Sequence, residues 1–122
     1  MPCLKILTNL PKSKIPGDFV NKIIPLLSKV VRKPEDNFIC VISGDCPISL
    51  GGESASPAAV ATLESIGHVG PQDNQVIAKE VSAFVENELG INKNNFFFTI
   101  YDLKPFEVVK GGLTVAQVWD SK

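Results

Sequence analysis

A chain of 122 residues that is 44% hydrophobic and 20% charged, with twelve Lys and Arg against thirteen Asp and Glu, is the size of one domain with a real core. It carries no electrostatic footprint for nucleic acid or an anionic membrane. No apolar run is long enough to cross a bilayer, and no charged segment followed by an apolar one opens the chain, so a cytoplasmic protein without membrane insertion is expected. Cys3, Cys40 and Cys46 form neither a C-x-x-C pair nor a zinc spacing with the single His68. That speaks against a disulfide framework and against a metal site, and for thiols in a reducing compartment.

In chain order, residues 2–9 alternate, with Leu4 and Ile6 on one face and Cys3, Lys5 and Leu7 on the other, which predicts a first strand opened by Pro2. Pro11 and Pro16 mark a turn-rich entry to a helix. Phe19, Ile23, Leu26, Leu27 and Val30 form its apolar stripe, from about Asp18 to Arg32. Pro25 inside that stretch removes a backbone donor and predicts a kink rather than a break. Pro34 turns the chain into a second strand over Asn37–Ile42, apolar enough to be covered on both faces. Residues 43–56 read as loop with a short strand at their centre, and Val60–Ile66 as a third strand. A second helix, capped by Asp73 or Asn74, carries the stripe Ile77, Val81, Phe84, Val85 and Leu89 and closes at Gly90. Asn95–Asp102 follows as a fourth strand.

The two stripes start 58 residues apart, at Phe19 and Ile77, and the Asn-Phe pairs that open the following strands, at Asn37 and Asn95, share that spacing. The pattern predicts an α/β (α+β) fold built from a duplicated β-α-β unit, about 2–43 and 60–102, in a single domain over 1–122. Right-handed crossovers then place both helices on one face of a four-stranded mixed sheet. The other face keeps apolar residues with no third helix to cover them, so a second subunit is expected there. The tail from 106 to 119, with Thr114-Val115-Ala116-Gln117-Val118 alternating, suits a strand added to a neighbour's sheet edge.

One residue carries possible chemistry. If Met1 is removed, Pro2 presents a secondary amine, a base that no internal proline possesses; the plainer alternative is that proline here only permits that removal and ends a strand. Lys33, read from the residues alone, is with Lys29 and Arg32 a counter-charge to the end of the first helix. His68, in a turn beside Gly67 and Gly70, reads as an exposed loop residue.

Met1-Pro2 opening a strand, Thr8-Asn9-Leu10-Pro11, Lys33-Pro34, Gly51-Gly52, Ser65-Ile66-Gly67, Asp73-Asn74 and Tyr101-Asp102-Leu103 resemble the macrophage migration inhibitory factor and D-dopachrome tautomerase family of the tautomerase superfamily. The run at 102–105 is most similar to invertebrate, nematode-like members. The resemblance implies a homotrimer with pockets between subunits and a keto–enol tautomerase of phenylpyruvate-like or dopachrome-like compounds that needs no cofactor or metal. Pro2 matches the family's catalytic base, Lys33 its pocket lysine, and Ile66 a pocket-lining residue. Phe97 and Thr99 fall where mammalian members carry Tyr and Asn from the neighbouring subunit, and Lys110 replaces an aromatic residue near the pocket, so lower activity or altered preference is expected. The alternative that the resemblance implies is a cytokine-like extracellular protein, exported without a signal peptide and acting on a cell-surface receptor. A thiol-disulfide activity is rejected, because the matching region, residues 56–61, contains no cysteine.

Overall fold

The computed structural model describes residues 1–121. Four strands form the main sheet: β1 (Cys3–Thr8), β2 (Ile39–Ser43), β3 (Ala59–Ser65) and β4 (Phe96–Asp102). Their order is β2-β1-β3-β4. β1 and β2 pair parallel, β3 and β4 pair parallel, and β1 meets β3 antiparallel at the centre. Each half is thus one strand–helix–strand unit, and the antiparallel seam relates the two by an internal two-fold. The mixed sheet with helices on one face is the architecture that the duplicated pattern predicts.

The alternation in the sequence decides which face is covered. Leu4 and Ile6 on β1 and Ala59, Ala61 and Leu63 on β3 are at most 2% exposed, and they pack under the helical stripes. Leu27, Val30 and Val31 come from one helix and Ile77, Val81, Val85 and Leu89 from the other. Phe19 and Phe84 join the two helical stripes, with ring centroids 5.7 Å apart and planes at 55°. Each fully buried aliphatic side chain contributes about 1.5–3 kcal/mol, so these stripes are what commits the chain to this layering. On the opposite face Leu7, Ile39, Val41, Val60, Phe97 and Tyr101 stay between 37% and 62% exposed. On the same face Lys5 and Glu64 pair, 3.4 Å apart. The open apolar face is where the sequence places it.

Several local expectations need correction. The first helix is two segments, α1 (Phe19–Lys22) and α2 (Ile24–Val31), not one kinked rod. Pro25 cannot donate to the carbonyl of Asn21, and the interruption falls two residues ahead of it, at Ile23. Ile23 keeps right-handed dihedrals (φ −77°, ψ −20°), so the apolar stripe stays in register. Strand β2 begins at Ile39, because Glu35–Asn37 forms a 3-10 turn closed by the Phe38 N–H on the Glu35 carbonyl. The middle of the 43–56 loop holds one bridge, Leu50 with Glu53 around Gly51-Gly52, rather than a strand. Helix α3 (Asp73–Leu89) has no side-chain cap: Asn74 Oδ1 accepts from the Gly70 N–H instead, and Asp73 pairs with Arg32 at 3.0 Å. Gly90 does close it, at φ +69°.

The tail is the largest departure. A two-residue hairpin, β5 (Val109–Lys110) with β6 (Leu113–Thr114), turns on Gly111 and Gly112, both at positive φ, and helix α4 (Val115–Asp120) follows. Thr114 Oγ1 accepts from the Gln117 N–H while the Gln117 side chain accepts from the Thr114 N–H. This reciprocal capping outweighs the strand-like alternation of residues 114–118.

Candidate active site

β1 begins beside the point where β2 enters the sheet: the Ile39 N–H donates to the Pro2 carbonyl at 2.9 Å. Parallel pairing therefore fixes Pro2, which is buried, at the end of the sheet. Lys33 arrives from the end of α2, where its own carbonyl accepts from Ser28 Oγ at 2.6 Å. Its Nζ donates to the Ile66 carbonyl at 2.7 Å. Ile66 in turn follows β3, in a turn held by the Gly67 N–H on Asp102 Oδ1 (2.9 Å) and by Ser65 Oγ on the Gly67 carbonyl (2.8 Å). Four elements thus converge on one spot. The sheet register and the α2 end, not local sequence, bring them together.

The spot opens into a cavity of about 480 Å³. Met1, Pro2, Lys33 and Ile66 form one side; the β5–β6 hairpin and α4 form the other through Lys110, Gly111, Leu113, Val115, Val118 and Trp119. Asn37 completes the wall. A somewhat larger hollow of about 580 Å³ beside Asn9, Asp45, Cys46 and Ser49 has no cationic side chain on its wall, so it offers no anion clamp. Among the described residues no group of three His, Cys, Asp or Glu could hold a metal.

Electrostatics in the cavity lower the pKa of two of its amines. The chain's terminal ammonium, carried here by Met1, has its pKa lowered first by burial, then by Lys33 and Lys110, against a smaller opposing effect of Cys3. Burial also lowers the pKa of Lys33, and the Asp102 carboxylate opposes that shift. The thiols are held in the other direction: burial raises the pKa of Cys3 and pushes Cys40 up to about 12. Neither is poised as a nucleophile near neutral pH.

Of the residues singled out from the sequence, Pro2, Lys33, Ile66 and Lys110 come together. Phe97 and Thr99 do not. They sit on β4 opposite Val60 and Thr62, on the open face of the sheet, and Phe97 is 62% exposed. Sequence reasoning missed Asn37 and Trp119. Asn37 could have been found from its place just before the strand that pairs with Pro2, and Trp119 from the Thr114-x-x-Gln117 capping pattern, which makes the tail helical. His68 is exposed and lies in a turn as expected, though its Nδ1 also contacts the Val31 and Arg32 carbonyls at 2.9 and 3.1 Å.

Comparisons with known proteins bear on the family and the fold. The model of the macrophage migration inhibitory factor (MIF) family matches residues 1–116. MIF-like protein mif-2 of Caenorhabditis elegans is 32% identical over 117 residues, covering 96% of this chain and 97% of that protein. D-dopachrome decarboxylase of Gallus gallus is 30% identical over 111 residues, covering 90% and 93%. The structure of the macrophage migration inhibitory factor from Trichinella spiralis matches with a TM-score of 0.88 at 28% identity, covering 92% of this chain and 98% of that one. With the duplicated fold, the cavity at Pro2 and a match that runs nearly end to end, the chain belongs to the macrophage migration inhibitory factor family.

Proposed function

We propose that this protein is a keto–enol tautomerase of phenylpyruvate-like or dopachrome-like compounds in which Pro2, exposed by removal of Met1, is the general base. The observation that carries the proposal is the meeting of buried Pro2 with the Lys33–Ile66 pair on one cavity wall. A protonated amine cannot accept a proton. Burial and the two nearby ammonium groups favour the neutral form of an amine at this end of the chain, and a base with its pKa near the working pH typically supplies a factor of about 10²–10⁴. The Pro2 nitrogen removes a proton from the carbon next to the carbonyl of a 2-oxo acid, the electrons pass to the carbonyl oxygen, and a proton is returned there to give the enol. Lys33 holds the carboxylate. The reaction moves a proton and no electrons leave the substrate, so it calls for no cofactor.

The open face of the sheet supports a homotrimer in which a neighbour's β4 brings Phe97 and Thr99 to the cavity rim. Phe97 can wall the cavity but has no hydroxyl to donate, which favours modest activity. The test is an assay with a dopachrome ester and phenylpyruvate on protein whose Met1 removal is confirmed by mass spectrometry and whose assembly is measured by sedimentation. Pro2→Gly is expected to lower kcat/KM by about 100-fold or more. Equal rates for the variant and wild type would overturn Pro2 as base. Met1-free wild type as inactive as Pro2→Gly would move the receptor-binding, cytokine-like reading ahead.

A further inference from the structure

Lys110 stands at the end of β5, held there by the Gly111-Gly112 turn, with its Nζ 3.4 Å from Met1 Sδ. It shares the cavity with Lys33, so two ammonium groups flank the position of Pro2. Three ion pairs form among the described residues, and neither lysine is in any of them. The acids that share a hollow with Lys110 are engaged elsewhere. Glu64 and Glu107 line the adjoining hollow, but Glu64 pairs with Lys5 and the Glu107 carboxylate accepts from the Lys104 N–H at 2.8 Å. The Met1 thioether, a weak acceptor, is lost with Met1. That leaves the Lys110 ammonium without an ion-pair partner among the described residues. The same wall carries the apolar side chains of Leu113, Val115 and Trp119.

We infer that the preferred substrate is a 2-oxo acid, or its enol, that bears a second carboxylate, with Lys33 binding the first and Lys110 the second. This rests on the tautomerase reading above. A monocarboxylate leaves one of the two ammonium groups uncompensated, whereas a dicarboxylate neutralises both. Lys110 is then a specificity-determining residue.

The test compares phenylpyruvate with 4-carboxyphenylpyruvate, which differ only by that carboxylate, on Met1-free wild type, Lys110→Gln and Lys110→Arg. Wild type is expected to show a KM about five- to tenfold lower for the dicarboxylate, a preference that shrinks with added salt. Lys110→Gln is expected to bring the ratio of the two KM values near one, and Lys110→Arg to retain the preference. Turnover of phenylpyruvate with no preference in wild type, or a preference that survives Lys110→Gln, overturns the inference while the tautomerase reading stands. If neither compound is turned over, that reading falls, and quenching of Trp119 fluorescence by the dicarboxylate decides the two-cation subsite alone: equal Kd for wild type and Lys110→Gln overturns it.

Discussion

The two strand–helix–strand units differ in their helices, broken at Ile23 in the first and continuous in the second, yet leave them by the same path and then part company at one residue. The 3-10 turn Glu35–Asn37 lies 58 residues before its counterpart Lys93–Asn95, and the residues that end the preceding helices, Arg32 and Gly90, keep the same spacing at φ +62° and +69°. The next residue is Lys33 in the first unit and Ile91 in the second. Ile91 is fully buried in the core, while Lys33 is half-buried against the Ile66 carbonyl beside Pro2. One backbone path thus supplies packing in one half and chemistry in the other. What differs is the neighbour: the first unit's helix end faces the turn after β3 and the start of the chain.

Exchanging the two residues tests this most severely. Ile91→Lys puts an ammonium where no partner exists, and it is expected to cost about 4 kcal/mol or more, read as a lower midpoint in urea denaturation. A loss below about 1 kcal/mol would mean that the second unit can also house a cation, and the asymmetry argued here would collapse.

The reverse exchange, Lys33→Ile, is expected to be mild for the fold and severe for the reaction. Stability falls by about 1–2 kcal/mol, because the Ile66 carbonyl loses its donor. The expected loss in kcat/KM is about 100-fold, since both the carboxylate clamp and one cation beside the base disappear. The pH profile moves with a defined sign. Activity rises as the base loses its proton, and Lys33 lowers the pKa of the terminal amine, so removing Lys33 raises that pKa and shifts the acid limb to higher pH. An acid limb that stays put or moves down would separate Lys33 from the base.

Much of this contrast is legible in the sequence, for physical reasons that also mark where reading stops. Both stripes, from Phe19 and from Ile77, are periodic over several turns, and the strand alternation separates Leu4 and Ile6 from Lys5 and Leu7, so the covered and open faces follow directly. Pro2, Lys33 and Ile66 could be nominated through resemblance, but their meeting depends on pairing between β1 and β2 and on the turn after β3, which no local window contains. The tail misleads because Thr114–Val118 alternates like a strand while Thr114 and Gln117 cap a helix, and a two-residue hairpin leaves too little periodicity to arbitrate. The placement of Pro25 marks the interruption of the first helix, but not that Ile23 absorbs it. Phe97 and Thr99 lie outside the cavity of this chain, since their proposed role requires a neighbour.

The smallest effect concerns the residues just before the divergence. No heavy atom lies within 4 Å of a Cβ added at Gly90, so Gly90→Ala meets no clash and isolates the cost of the left-handed backbone, expected at about 1 kcal/mol in chemical denaturation. Arg32 already bears that cost. Arg32→Gly relieves it, yet it also loses the exposed ion pair with Asp73 and enlarges the freedom of the unfolded chain, so a net change within about 0.5 kcal/mol is expected. A side chain is tolerated at this cap because the first unit anchors it from outside: His68 Nδ1 meets the Val31 and Arg32 carbonyls and ties the helix end to the turn that carries Ile66. If Gly90→Ala proved neutral while Arg32→Gly destabilised by more than about 1 kcal/mol, the cap geometry would be set by tertiary contacts in both units rather than by glycine in one. Lys33 would then owe its place to His68 and Asp73 more than to the duplicated backbone.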